Sequence, residues 1–219
     1  MNVIANQPNP TWTIDQLRRH FDMIPAERIL LDPAPGTATE EDVTFMDDHR
    51  NRLCELVDGV LVEKAMGAKE SLLAADLIFA IKLYLRKRDL GVVLATDGFL
   101  RLVVGLVRAP DVSFISWGRL PRGEFPDEPI PSLIPDLAIE VVSQSNTKKE
   151  IARKLREYFE TGVRLAWVVR PKESEVDVYT SLTKVRVLGV GDTLTGGKVL
   201  PGFKLPLAKL FAPIRRKRR

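Results

Sequence analysis

The segment PDLAIEVVS, residues 135–143, decides the fold, because it is an apolar strand segment with a carboxylate in its interior. Side chains alternate between the two faces of a strand. One face would therefore carry Leu137, Ile139 and Val141, and the other Ala138, Glu140 and Val142. A carboxylate inside a central strand is costly unless a metal ion, a cation or water compensates its charge. Glu140 therefore either faces solvent or an arginine, or belongs to a functional site.

A second acidic residue opens the preceding strand segment. In APDVSFI, residues 109–115, Asp111 follows a proline and begins an apolar run. Carboxylate oxygens are the ligands that hard divalent cations prefer. If Asp111 and Glu140 form a metal site, we expect their carboxylates to lie on one face of the sheet, within about 5–6 Å of each other.

A helix is predicted over residues 148–161, where apolar residues recur at helical spacing. Its apolar stripe consists of Ile151, Leu155, Tyr158 and Phe159. At about 100° per residue, Lys154 lies about 85° from the centre of this stripe, at its border. A lysine there can extend along the sheet and place its ammonium near the two carboxylates. The alternative is an ordinary surface lysine whose stem covers apolar side chains.

Turn residues and hydrophobic periodicity predict the remaining elements. Asp58-Gly59 suits a type I′ turn between strands at 53–57 and 60–63, and a long buried helix is predicted over 69–88, ended by Gly91 in the left-handed conformation. Further strands are predicted at 92–96, 99–104, 165–169, 176–180 and 184–189, with an edge strand at 199–205. This order predicts an α/β fold, a mixed α+β sheet with flanking helices, because no regular βαβ repeat is present.

Three regions are predicted along the chain. Residues 1–50 are interpreted as an N-terminal extension with a short helix near 13–21, residues 51–212 as the folded domain, and residues 213–219 as a basic C-terminal tail. The last five residues are all basic. Subtracting them from the net charge of +4 leaves −1 for the other 214 residues, so overall charge does not argue for DNA binding. The tail either contacts phosphate backbones or is a solvated terminus.

Composition restricts the metal chemistry. One cysteine and two histidines exclude a thiolate-rich or histidine-rich site, so a bound metal would be held by carboxylates, which favours Mg²⁺ or Mn²⁺. No apolar run reaches the roughly 18 residues that span a bilayer, and the first residues do not resemble a secretory signal. We therefore expect a cytoplasmic protein with no membrane association.

The order of these motifs resembles the PD-(D/E)XK nuclease superfamily. In detail it is similar to the Uma-type branch of restriction-endonuclease-like proteins, once catalogued as a domain of unknown function. The resemblance runs from about residue 53 to residue 210. It rests on CELVDG at 54–59, Thr96-Asp97, APD at 109–111, LAIEVVS at 137–143, RKL at 153–155 with Tyr158, Gly162-Val163 before Trp167, and LPGF at 200–203.

The resemblance implies a restriction-endonuclease-like core and a set of site residues. Asp111 and Glu140 match the metal-binding acids, with the Val141 carbonyl as a further metal ligand. Val142 stands where the motif lysine is normally found, and Lys154 matches the place to which that lysine has moved in this branch. Glu55 matches an acidic position near the metal, although a surface position in the hairpin explains it equally well.

The predicted function is that of a Mg²⁺-dependent endonuclease that hydrolyses DNA phosphodiester bonds, with DNA as substrate and a homodimer as one arrangement. The alternative is a catalytically inactive protein of the same fold that binds nucleic acid or a protein partner. A hydrolase acting on another phosphorylated substrate is a third reading.

Overall fold

A computed structural model describes residues 12–64 and 67–212, which form five α-helices and twelve strands. The largest sheet has six strands in the order β10-β9-β8-β7-β6-β3. In this sheet β7 and β8 are parallel and the other neighbours are antiparallel. The strands of this sheet are β3 (Gly91–Leu94), β6 (Val112–Ser116), β7 (Leu137–Val141), β8 (Leu165–Arg170), β9 (Glu175–Ser181) and β10 (Lys184–Leu188). The predicted mixed α/β architecture is confirmed.

A smaller, four-stranded sheet has the order β2-β1-β5-β4. Its strands are β1 (Cys54–Val57), β2 (Val60–Glu63), β4 (Leu100–Val103) and β5 (Leu106–Arg108). The predicted hairpin between β1 and β2 is confirmed. Asp58 and Gly59 both have positive φ, 52° and 69°, as a type I′ turn requires. A Cβ at Gly59 would also collide with the backbone of Gly36, so glycine is required there for two reasons.

The described residues form five α-helices. They are α1 (Ile14–His20), α2 (Glu40–Arg50), α3 (Ala68–Leu85), α4 (Lys148–Thr161) and α5 (Leu207–Leu210). The bounds predicted for α4 are confirmed. A capping box between Thr147 and Glu150 starts this helix, and Gly162, with φ of 107°, ends it in the left-handed conformation.

Different elements pack on the two faces of the large sheet. On one face, α3 packs with the two-stranded sheet of β11 (Thr193–Gly196) and β12 (Leu200–Pro206) over an apolar core that includes Ile139 and Trp167. On the other face, α4 packs on Ala166 and Val168, and β4 packs near Tyr158. The alternation predicted for β7 is confirmed, because Leu137, Ile139 and Val141 all belong to the apolar core on the α3 side.

Several predicted details were wrong. The long helix α3 ends at Leu85, and Gly91 begins β3, where its missing Cβ lets the Ile115 carbonyl approach closely. The strand predicted at 199–205 pairs with β11 and does not border the large sheet. The helix α2 and the strands β5 and β11 were not predicted. Both strands are only three or four residues long, too short for a clear alternation of side chains, and α2 is too polar to show a clear apolar stripe.

The segment before β1 packs closely on the domain. Leu30 N–H donates to the Leu61 carbonyl at 3.0 Å, and the buried Arg28 pairs with Glu150 of α4 at 2.8 Å. Thr13 caps α1 through a capping box with Gln16. The division of the chain at residues 50 and 212 stays a prediction, and the basic tail lies outside the described residues. In the described part of the chain, no helix combines the length and apolar character needed to cross a bilayer.

Candidate active site

Asp111 and Glu140 lie side by side on neighbouring strands. In the antiparallel pairing of β6 with β7, Val112 is opposite Ile139, so the next position places Asp111 opposite Glu140. Residues directly opposite in an antiparallel pair point to the same face. The Val141 N–H donates to Asp111 Oδ2 at 2.7 Å, which draws the Asp111 carboxylate to the residue after Glu140. The two acids therefore occupy one face of the sheet, and both are buried.

Lys154 reaches this pair from α4. Its Nζ lies 3.1 Å from Glu140 Oε2 and 3.1 Å from Glu55 Oε1, and the residue is 2% exposed. The helix phase predicted a position at the border of the buried stripe, and the structure places it within the buried face. The surface-lysine alternative was wrong, because the ammonium is enclosed between the sheet and the helix.

Glu55 belongs to the same cluster. It lies in β1, is 1% exposed, and accepts hydrogen bonds from Arg108 Nη1 at 2.7 Å and from the Ala109 N–H at 3.2 Å. A surface position in the hairpin is therefore excluded. Since β1 pairs with β5, and β5 leads directly to Asp111, the small sheet brings Glu55 to the edge of the acid pair.

Three further residues complete the cluster. Lys64, just after β2, places Nζ 2.9 Å from Asp111 Oδ1 and also donates to the Ala109 carbonyl. Arg108 bridges Glu55 and Glu157, at 2.7 Å and 2.6 Å. Tyr158 donates its hydroxyl proton to Glu140 Oε1 in a short hydrogen bond. We call these residues, together with Glu55, Asp111, Glu140 and Lys154, the charged cluster.

The sequence offered unequal signals for these three residues. Tyr158 was recognised as part of the helix stripe and the family motif, but not as a partner of Glu140. Arg108 ends a strand that was not predicted, although its position directly before APD is a usable signal. Lys64 is separated from Asp111 by 47 residues, and nothing local distinguishes it from other lysines that follow a strand.

The carboxylates of Glu55 and Glu140 have opposite pKa shifts. Burial raises the pKa of Glu140, and the neighbouring charges of Asp111 and Glu55 raise it further, which outweighs the attraction of Lys154 and Lys64. Burial also acts to raise the pKa of Glu55. There, however, Lys154, Arg108 and Lys64 together hold the pKa well below its usual range. Two buried glutamates that share Lys154 therefore differ in how easily they take a proton.

Lys154 and Tyr158 both hold their protons firmly. Burial alone would lower the pKa of Lys154, but Glu140 and Glu55 raise it above its usual value. Burial and the charges of Glu140 and Glu55 raise the pKa of the Tyr158 hydroxyl well above its ordinary range. At neutral pH both side chains therefore act as hydrogen-bond donors, and Lys154 also acts as a positive charge.

Metal binding would depend on few side chains. Within residues 12–64 and 67–212, no three histidine, cysteine, aspartate or glutamate side chains are grouped as they would be around a metal ion. The donors that the acid pair supplies are the carboxylate oxygens of Asp111 and Glu140. Oxygen-only donors suit Mg²⁺ or Mn²⁺ and do not suit zinc in a structural site. The chemistry of the donor set therefore fits a hard divalent cation that keeps several water ligands.

Comparison with known proteins assigns the chain to a family. Residues 40–208 match the Uma2 family, described as "Putative restriction endonuclease". The chain belongs to this family, and the predicted resemblance is confirmed. None of the curated proteins matches the chain.

A solved structure shows the same fold. The crystal structure of a "putative nuclease belonging to DUF820" from Anabaena variabilis superposes with a TM-score of 0.65 and 19% sequence identity. The superposition covers 74% of this chain and 90% of that chain. The restriction-endonuclease-like fold is therefore established, and the family assignment supports a nuclease-like function.

Proposed function

We propose that the protein is a metal-dependent endonuclease that hydrolyses phosphodiester bonds in DNA. The observation that carries this proposal is the position of Asp111 and Glu140 on adjacent strands, facing the same side, with the buried Lys154 ammonium 3.1 Å from Glu140. Burying so many charged side chains costs free energy of folding. Clusters of this kind are found mainly at functional sites. Membership of the Uma2 family supports the same conclusion.

The metal ligands in this proposal are Asp111, Glu140 and the backbone carbonyl of Val141, and the ion is Mg²⁺ or Mn²⁺. A bound ion would lower the pKa of a coordinated water and neutralise charge on the phosphate. Glu55 is assigned a positioning role, because its oxygens already accept hydrogen bonds from Arg108, Ala109 and Lys154. It holds the Lys154 ammonium at the acid pair.

Lys154 contributes charge in this proposal and does not remove a proton. Its pKa is raised by Glu140 and Glu55, so it carries an ammonium at the pH of the reaction. A fixed positive charge in a buried site stabilises the negative charge that develops on the phosphate in the transition state. Tyr158 and Glu55 keep the neighbouring groups in place by hydrogen bonds to Glu140 and to Lys154.

The same proposal includes a substrate, an oligomeric state and a location. DNA is the proposed substrate, a homodimer would allow both strands to be cut, and the cytoplasm is the proposed location. The near-neutral charge of the chain outside its last five residues favours a second candidate, a catalytically inactive protein of this fold that binds nucleic acid or a protein partner.

Cleavage of supercoiled plasmid in Mg²⁺ or Mn²⁺ tests the proposal. We expect nicked and linear products from the wild type, none in EDTA, and losses of at least about 100-fold for Asp111→Ala, Glu140→Ala and Lys154→Ala. Asp177→Asn is a matched control, because Asp177 is also buried and paired with an arginine, Arg170, but lies outside the charged cluster. Activity that survives all three substitutions would refute the site. A wild type that shifts DNA in a gel without cutting it would favour the second candidate.

A further inference from the structure

Lys64 is the one member of the charged cluster that binds Asp111 directly with a positive charge. We propose that Lys64 is an internal cation that competes with the divalent metal for Asp111, and thereby sets how tightly the site takes up metal. The inference rests on the proposed function, since it assigns the metal to Asp111. It concerns a residue that neither the sequence motifs nor the family resemblance singled out.

The hydrogen bonds of Asp111 leave one oxygen for this competition. Oδ2 accepts the Val141 N–H at 2.7 Å, so this oxygen is tied to the backbone of β7. Oδ1 accepts the Lys64 ammonium at 2.9 Å. A cation coordinated through Oδ1 must therefore share that oxygen with Lys64 or displace it.

Lys64 is held in this position by its surroundings. Its side chain is only 6% exposed, and its ammonium also donates to the Ala109 carbonyl, two residues before Asp111. Solvent therefore screens its charge poorly. The two hydrogen bonds hold the ammonium beside Asp111.

The charge of Lys64 acts on all three carboxylates of the cluster. It pairs with Asp111. Through space it helps to lower the pKa of Glu55 and opposes the rise in the pKa of Glu140. Removing it makes the cluster more negative by one charge without removing an oxygen ligand. Since one unit charge a few Å away in a poorly screened site changes an ion's binding strongly, we expect metal affinity to rise by about tenfold or more.

Lys154 differs from Lys64 in its bonding. The Lys154 ammonium lies between Glu140 and Glu55, each at 3.1 Å, and the structure shows no bond from it to Asp111. Lys64 donates to one carboxylate, that of Asp111, and to one backbone carbonyl. A metal ion bound to Asp111 would therefore displace the hydrogen bond of Lys64 and not that of Lys154. The two lysines therefore have separate roles: Lys154 supplies charge for the reaction, and Lys64 regulates access of the ion.

Calorimetric titration of Mn²⁺ into the full chain, without DNA, tests this role. Lys64→Met and Lys64→Gln remove the charge at similar length, and both are expected to bind Mn²⁺ about tenfold or more tightly than the wild type. Lys64→Arg keeps the charge and is expected to bind within about threefold of the wild type. The Asp111→Asn variant, which loses the shared ligand, is expected to bind weakly whether or not Lys64 is present.

Equal or weaker Mn²⁺ binding by both charge-removing variants, with the circular dichroism and melting profile of a folded protein, would overturn the inference. Two variants are used because either one alone could perturb the fold. If the wild type binds Mn²⁺ and Asp111→Asn does not, but the Lys64 variants bind no more tightly, only the inference fails. If neither the wild type nor the variants bind Mn²⁺, the proposed metal site fails with it.

Discussion

The two faces of the six-stranded sheet are built on opposite principles. On the α3 face, strand β7 contributes Leu137, Ile139 and Val141 to a fully apolar core. On the α4 face, the same strand contributes Glu140 to a cluster of buried charges. One residue of offset along a strand therefore separates the side chains that hold the fold together from those that carry the proposed chemistry.

The two faces also differ in how burial affects the stability of the fold. Apolar burial stabilises the fold by about 25 cal/mol per Å², and it needs no particular partner. Buried charges gain little net stability, and each depends on a named partner: Lys154 on Glu140 and Glu55, Lys64 on Asp111. We therefore expect the effect of a substitution on the free energy of unfolding to be independent of pH and of any one partner on the α3 face. On the α4 face we expect it to depend on both.

The largest effect on stability is expected from the apolar face. Trp167 is fully buried and stacks on Phe203, with ring centroids 5.8 Å apart. Trp167→Ala is expected to reduce the free energy of unfolding by about 3–5 kcal/mol, because it removes a large apolar side chain and leaves a cavity. Urea unfolding monitored by circular dichroism measures it. Val104→Ala, at a residue that is 94% exposed, is the control and should change little. A loss below about 1 kcal/mol for Trp167→Ala would contradict the description of this core.

A smaller loss is expected when the charged face loses one partner. Lys154→Met leaves Glu140 and Glu55 without their shared cation, and is expected to reduce the free energy of unfolding by about 3 kcal/mol. Adding Glu140→Gln to this variant removes one of the unpaired charges. The double variant should therefore lose less than the sum of the two single losses, in unfolding measured in EDTA. Strictly additive losses would show that the two side chains are not coupled.

The smallest effect is expected in the pH dependence of stability. The pKa of Glu140 is raised in the folded protein, so its contribution is fully present below its unfolded pKa near 4.5 and is lost as the pH rises through the folded pKa. The pKa of Glu55 is lowered, so its contribution is present above 4.5 and is lost as the pH falls. In EDTA, Glu55→Gln should therefore reduce the free energy of unfolding, relative to the wild type, most at neutral pH. Glu140→Gln should reduce it most at acid pH.

The changes in stability with pH that the two glutamates cause are therefore expected to be opposite in sign. Unfolding by urea at a series of pH values, for the wild type and both variants, measures them. Slopes of the same sign would show that the two glutamates do not differ as their surroundings indicate.

Much of the fold could be predicted from the sequence, because its signals are local. The helix α4 has a capping box, an apolar stripe and a terminal glycine, all within 16 residues, and its predicted bounds are those observed. The hairpin of β1 and β2 has a turn pair that only a few conformations satisfy. The strands β5 and β11 are only three and four residues long, too short to show a clear alternation of apolar and polar side chains, so the sequence offered no comparable signal.

The residues of the candidate site also differ in how far local sequence could predict them. Asp111 and Glu140 could be predicted because a carboxylate interrupts an apolar strand or opens one. Lys154 could be predicted only from helix phase and the family resemblance together. Glu55 was left undecided, since a hairpin residue has two faces and local sequence does not say which one is covered. The place of Lys64 depends on how the small sheet packs on the large one, which is a property of the tertiary fold, whereas Arg108 had one unused signal, its position directly before APD.

Anomalous diffraction from crystals grown with Mn²⁺ tests the central claim most directly, because it locates the ion without requiring a DNA target. We expect an anomalous peak about 2.0–2.3 Å from carboxylate oxygens of both Asp111 and Glu140 and from the Val141 carbonyl, with Lys154 still beside Glu140. Crystals of Asp111→Asn should lack the peak. A fully formed charged cluster with no peak between Asp111 and Glu140, at Mn²⁺ concentrations that saturate binding in solution, would contradict the account.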